Sequence, residues 1–256
     1  MREEILGYRV TTASLDACVS EILGHLANRV DQRWLACINP HSYVVSLSDH
    51  DFAAALHDAH WLIPDGIGIV YASRILGGSI TRRVTGPDLF DALHSSLDRI
   101  GGAGVFFLGG SEATLELVRR RFEVDYPRLR FAGCYSPPVR PRFSEEETAA
   151  MVEAVNAAAP DVLWVALTAP KQEKWIHENR HRLNVPFIGA VGAALDFYAG
   201  VVQRPPRVFQ HLGVDWLFRL VQQPRRLWRR TFVSAPIFVW HVLRARLGRA
   251  APVGAR

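Results

Sequence analysis

Apolar residues fall in short unbroken runs separated by longer stretches of helical spacing. Trp34–Ile38 reads WLACI, Trp61–Ile63 runs into Pro64-Asp65-Gly66, and Val105–Leu108 reads VFFL before Gly109-Gly110-Ser111. Leu129–Ala132, Val162–Leu167 (VLWVAL) and Pro186–Val191 (PFIGAV) complete the predicted strands. Such runs, lacking polar alternation, fit strands covered on both faces. Between them, Ser42–Ala59, Ile67–Leu76, Pro87–Ile100, the stretch from Ser111 to about Asp125, Ser144–Ala158 and Pro170–Leu183 carry helical patterns. Ser144 followed by Glu147 is a capping pair, and Pro170 suits a first helical turn. Strands alternating with helices pair in parallel through right-handed crossovers. The predicted fold is therefore α/β, a Rossmann-like, mostly parallel sheet with helices on both faces. Ligands of such sheets bind beyond the carboxyl ends of the strands. That rule selects the loops at Asn39-Pro40, Asp65-Gly66, Gly109-Gly110, Thr168-Ala169-Pro170 and Gly192.

The charge distribution divides the chain in two. Residues 204–256 hold eleven arginines, no lysine and one acid, Asp215, a net +10 that leaves residues 1–203 at −5 within a chain of net +5. We read 1–203 as the Rossmann-like α/β body and 204–256 as a basic, amphipathic helical appendage. The appendage interleaves its arginines with Leu227, Trp228, Phe232, Ile237, Phe238, Trp240 and Leu243, and its longest uncharged stretch, Thr231 to Leu243, is 13 residues. A spanning helix needs about 20 apolar residues. The pattern suits a helix in the plane of an anionic membrane surface, or one docked on the body with its arginines solvated. No nucleic-acid motif is present, so no nucleic acid is expected. An exposed apolar tail also leaves a homo-oligomer open. At 256 residues and 49% hydrophobic, the chain is neither disordered, collagenous nor disulfide-stapled. Its three cysteines, Cys18, Cys37 and Cys134, are scattered and read as reduced thiols, and MREEILGYRV has no apolar signal region.

Several constellations carry chemistry on paper. Gly109-Gly110-Ser111, between a strand and a helix, can hold a phosphate at the helix N-terminus or be an ordinary turn. Asp65 at a strand's carboxyl end is placed for a general base, although Pro-Asp-Gly is also a common turn. Asp49-His50-Asp51 imitates a metal-binding D-x-D but lies inside a helical pattern, where capping explains it. His177-Glu178-Asn179-Arg180-His181 fits H-E-x-x-H, yet no glutamate follows Glu178 and Arg180 and Arg182 crowd it, so it reads as a solvated helix face. Lys171-Gln172-Glu173-Lys174 holds both lysines of a chain with 28 arginines. Its amide and carboxylate can read sugar hydroxyls, or form a capped, exposed first turn. No metal site is expected from this inventory.

Taken in order, Asn39-Pro40-His41, Pro64-Asp65-Gly66-Ile67-Gly68, Arg83-Val84-Thr85-Gly86-Pro87-Asp88-Leu89, Phe107-Leu108-Gly109-Gly110 and Ala169-Pro170-Lys171-Gln172-Glu173-Lys174-Trp175 resemble the WecG/TagA/CpsF family of glycosyltransferases. Val191-Gly192-Ala193, Gly200, Arg204, Asp215-Trp216-Leu217-Phe218-Arg219-Leu220 and Pro224-Arg225-Arg226 continue the resemblance, which spans roughly residues 30 to 230. It implies an inverting, metal-independent transfer of a hexose from a UDP-sugar to a polyprenyl-diphosphate-linked sugar at the cytoplasmic face of the membrane. Teichoic-acid linkers, enterobacterial common antigen and exopolysaccharides are the products it suggests; N-acetylmannosamine, its uronic acid and glucose are the donor sugars. By the same resemblance Asp65 is the general base, and Asn39, Arg83 and Gln172 line the sugar and diphosphate pocket. Cys37, Thr85, Gly86, Asp88, Gly109, Gly110, Pro170, Glu173, Gly192, Asp196 and Arg204 are further substrate-binding candidates, with Arg219, Arg225 and Arg226 in the appendage that closes over it. Three positions depart from the family pattern: Cys37 stands for Thr, Thr168 for Gly and Asp215 for Glu. No cofactor is implied beyond the UDP-sugar substrate. A nucleotide-cofactor oxidoreductase on the same layers is the competing enzyme, disfavoured because Gly101, Gly102 and Gly104 precede their strand instead of following it. A non-catalytic membrane adaptor is the other alternative.

Overall fold

The computed structural model of the protein describes residues 1–28, 31–204, 218, 220, 221 and 224–250, without the side chains of 225–227, 249 and 250. A two-stranded antiparallel hairpin, β1 (Arg2–Ile5) and β2 (Tyr8–Thr11), precedes helix α1 (Leu15–Asn28). The six strands that follow form one parallel sheet: β3 (Arg33–Ile38), β4 (Trp61–Pro64), β5 (Gly104–Gly109), β6 (Arg130–Tyr135), β7 (Val162–Ala166) and β8 (Phe187–Ala190), in the spatial order β4-β3-β8-β7-β5-β6. The α/β architecture is the one expected; the hairpin, α1 and the short helix α9 (Ala194–Tyr198) are additions to it.

Alternation along each strand sends successive side chains to opposite layers. Trp34, Ile38, Leu163, Val165 and Ile188 join one core with Phe52, Ile69 and Ile176. Leu35, Ile63, Phe107, Trp164 and Phe187 join the other with Phe90, Leu93 and Phe122. Both faces are thus covered, α2 (Pro40–Ser46), α3 (His50–Asp58), α4 (Ile67–Leu76), α7 (Glu145–Ala158) and α8 (Lys171–Asn179) supplying the first layer. Helix α1, α5 (Gly86–Ile100), α6 (Glu112–Asp125) and α9 supply the second.

Ends of helices fall where local chemistry puts them. Ser144 and Glu147 close the capping box of α7. The helical stretch expected over Ser42–Ala59 is two helices, because Asp49 turns outward to accept from Phe52 N at 3.0 Å and starts α3. Asp49 is a cap, as its context suggested, and it also holds Lys174 Nζ at 3.0 Å. The H-E-x-x-H segment needs correction: it is not merely a solvated face. His177 Nδ1 and Arg180 Nε reach Asp58 at 3.2 and 2.9 Å and dock α8 on α3.

Beyond residue 204 the described elements are α10 (Pro224–Arg229), a π turn (Arg230–Ser234) and α11 (Ala235–Ala250). Helix α11 packs on α2 and α4. Phe238 and Val242 are buried in the first core, the Phe238 ring edge-on to Tyr43 at 5.4 Å, and the Tyr43 hydroxyl pairs with His241 Nδ1 at 2.8 Å. Its other side is open: Trp240 is 64% and Leu247 73% exposed, with Phe232 at 65% in the π turn. Among the described residues no helix is long and apolar enough to cross a membrane. The appendage is therefore both docked and apolar outside, where the sequence had offered these as alternatives.

Candidate active site

The carboxyl ends of β3, β4, β7 and β8 converge on a cleft of about 250 Å³. Asn39, directly after β3, caps α2: its Oδ1 accepts from His41 N and Ser42 N, each at 3.0 Å, while Ser42 Oγ accepts from Asn39 N at 2.7 Å. The cap consumes the amide oxygen and leaves the NH2 end for the cleft. Asp65 directly follows β4 and is tied to the sheet by its N–H, which donates to Ile38 O at 2.8 Å. Gly66 takes φ +106 and opens α4, whose start lies so close to α2 that a Cβ on Gly68 would meet Pro40 Cγ at 2.5 Å. Only this glycine pair lets two helices begin side by side around the Asp65 carboxylate. The Pro-Asp-Gly segment is a strand-to-helix junction at the cleft, not a surface turn.

Two buried polar residues form the floor. Gln172 Oε1 accepts from Gly192 N at 3.0 Å, and its Nε2 donates to Glu173 Oε1 at 2.9 Å. Burial raises the Glu173 carboxyl to about 7. The Cys37 thiol donates to Ala190 O at 3.8 Å, and burial, with the charges of Asp65 and Glu173, pushes it well above its usual range. It is a protonated neighbour there, not a nucleophile. Of the two readings offered for this segment, the exposed first turn does not hold at these two positions, since the helix directs Gln172 and Glu173 inward.

Asp65, Cys37, Asn39, Arg83, Thr85, Gly86, Pro170, Gln172, Glu173, Gly192 and Arg204 all line the cleft. Four candidates do not. Asp88 accepts from Thr85 Oγ1 at 2.7 Å and from Arg204 at 2.8 Å, so its carboxylate is spent on the start of α5. Gly109 is glycine because a Cβ at its φ of +111 would come within 2.5 Å of Ala166 O in the adjacent strand. Gly110 and Ser111 complete a strand-to-helix turn in which Ser111 caps α6. Asp196 sits in the first turn of α9, outside the lining. Arg204 lines the cleft with its charge already met by Asp88 and Asp91 at 2.8 and 2.7 Å; it fastens the root of the appendage to α5. Arg219 and Asp215 lie outside the described residues, as do the side chains of Arg225 and Arg226.

Sequence reasoning missed His41, Phe197 and Arg230, which also line the cleft. His41 Nδ1 pairs with Ser234 Oγ at 2.8 Å, and burial together with the charges of Arg230 and Arg229 holds its imidazole below the usual range. Arg230 is the described appendage arginine that reaches the cleft beyond Arg204. Its only sequence signal was membership of the Arg225–Arg230 cluster. Among the described residues no group of three or more His, Cys, Asp or Glu side chains is placed to hold a metal ion.

The profile of the glycosyl transferase WecG/TagA/CpsF family matches residues 3–252 of the chain. The chain belongs to that family. It is a glycosyltransferase, and the oxidoreductase and adaptor alternatives fall away. A Bacillus spizizenii protein named N-acetylglucosaminyldiphosphoundecaprenol N-acetyl-beta-D-mannosaminyltransferase is 30% identical over 242 residues, 93% of this chain and 91% of the relative. A protein of the same name from Bacillus subtilis (strain 168) is 28% identical over 210 residues, covering 82% and 78% of the two chains. Another from Staphylococcus aureus (strain MW2) is 24% identical over 244 residues, covering 95% and 92%. The family match runs through both the sheet and the docked helix α11.

Proposed function

We propose that the cleft transfers a hexose from a UDP-sugar to a sugar on a polyprenyl diphosphate, with inversion and without a bound metal. The acceptor hydroxyl oxygen forms the new bond to the anomeric carbon as the bond to UDP breaks, and its proton passes to Asp65. The observation that carries this reading is the sharing of one cleft by a strand-tip carboxylate and the guanidiniums of Arg83 and Arg230. A positioned base raises the nucleophilicity of the alcohol, and planar cations stabilise the charge arriving on the diphosphate. The relatives' names describe transfer to a diphosphoundecaprenol-linked sugar, which supports a lipid-linked acceptor. N-acetylmannosamine heads the donor candidates on the same support, ahead of its uronic acid and glucose. The exposed apolar side of the π turn and α11, beside Arg230 at the cleft, supports a peripheral site on an anionic membrane.

The test is UDP release with membrane lipid-linked acceptor. Turnover is expected to survive EDTA, and Asp65→Asn is expected to lower kcat by about 10²–10⁴, the usual worth of a general base. Release abolished by EDTA and restored by a divalent ion would sink the metal-free mechanism, and an unaffected Asp65→Asn would remove the base. Protection against thermal unfolding by individual UDP-sugars ranks the donors.

A further inference from the structure

Glu173 is 1% exposed and lines the cleft. Its surroundings fix its hydrogen-bonding role atom by atom. Gly192 N–H donates to Gln172 Oε1, which turns the Gln172 NH2 toward Glu173. That NH2 occupies Glu173 Oε1, while Oε2 is buried with no hydrogen-bond partner. No arginine, lysine or histidine among the described residues pairs with the carboxyl, and its neighbour Lys174 is committed to Asp49. The Cys37 thiol of β3 faces it; the Asp65 carboxylate just after β4 and the His41 imidazole of α2, bonded to Ser234 and held below its usual range, share the cleft without pairing with it. Arg83, Arg204 and Arg230 belong to the same cleft lining, Arg204 held by Asp88 and Asp91. An ionised carboxylate buried without a cation, one oxygen unmet, is costly, whereas the neutral acid needs only an acceptor for its O–H.

We propose that Glu173 works as a neutral acid whose Oε2–H donates a hydrogen bond to an uncharged oxygen, hydroxyl or amide carbonyl, of the transferred sugar, and so helps select the donor. This rests on the reading of the cleft as the UDP-sugar site. Asp65 and Glu173 then divide the work of two carboxyls by environment, the half-buried one charged for proton transfer and the buried one neutral for recognition.

The test is the pH dependence of the donor KM between pH 6 and 8.5, at fixed saturating acceptor, for the wild type and Glu173→Gln. With the carboxyl at about 7, the wild-type donor KM is expected to climb toward tenfold per pH unit above that point, because the donating form is lost at that rate. The amide of Glu173→Gln donates but cannot ionise, so its KM is expected to stay flat over the range. A flat wild-type KM overturns the proposal, as does a Glu173→Gln profile that climbs in parallel with the wild type. A wild type that turns over no UDP-sugar at any pH overturns the donor reading and this one with it, which separates the two failures.

Discussion

His94 has no exposed surface, and Trp164 Nε1 donates to its Nε2 at 2.8 Å. The ring must therefore be neutral with its proton on Nδ1, and burial holds it down at about 3. In the unfolded chain an imidazole titrates near 6.5. Between those values the unfolded state binds the extra proton, so stability is full above about pH 6.5 and falls as pH drops toward 3, by up to about 1.4 kcal/mol per unit. His94→Gln keeps an acceptor for Trp164 and cannot titrate. Urea unfolding from pH 7 to 4.5 is expected to show a slope shallower by about one proton in the variant, and equal slopes would refute the role. At the same scale, Asp65, Asn39 and Gln172 are legible in the sequence because each immediately follows a strand or opens the next helix. Asp88 and Gly109 sit in equally suggestive spots. The sequence does not say that Arg204 claims the first, or that the neighbouring strand's carbonyl leaves no room for a side chain at the second.

Elements are legible to the extent that their apolar spacing is long. Five of the six sheet strands stand out as apolar runs, while the edge strand β6 (RFAGCY) is broken by Arg130 and only partly buried. The hairpin does not, because each arm is four residues and its turn is Leu6-Gly7, whose positive φ values of 49° and 91° come without the usual Asn or Asp. Helix α1 is different: Leu15, Cys18, Val19, Ile22, Leu23 and Leu26 carry the full i, i+3, i+4 pattern, which is legible from the sequence alone. Helix α11 shows a limit of another kind, since apolar residues surround it and nothing local tells which side docks. Phe238 and Val242 settle that question. Phe238→Ala removes the main anchor, a loss of about 3–5 kcal/mol at a buried aromatic. Because one face of α11 is already open, the loss is expected as local opening: amide exchange across 235–248 speeds up while exchange in β3, β7 and β8 holds. Uniform acceleration throughout the protein would show that the helix does not open independently.

For the whole molecule, the charge split was visible at once, but its geometry was not. The eleven arginines of residues 204–256 announce an anionic partner, yet Arg204 spends its charge on two aspartates while Arg230 reaches the cleft. If the outward side of the π turn and α11 meets lipid, the protein is expected to co-sediment with vesicles containing anionic lipid, less so as salt rises. Replacing Phe232 and Trp240 together by Ser is expected to weaken that binding by at least about tenfold, from the apolar area withdrawn from lipid, with little change in thermal stability because both are exposed. A change in subunit number without any vesicle binding would instead assign that surface to a second copy.

One short helix, α2, faces two ways. Its first residues hold the Asn39 cap in the cleft, and within a turn His41 and Tyr43 grip Ser234 and His241 of the docked segment. Trimming the greasy C-terminal end to obtain a better-behaved soluble fragment would therefore strip α2, and with it the helix that Asn39 caps, of its contacts to Ser234 and His241. Such a fragment is expected to lose turnover, and assays made on it would misjudge the intact enzyme.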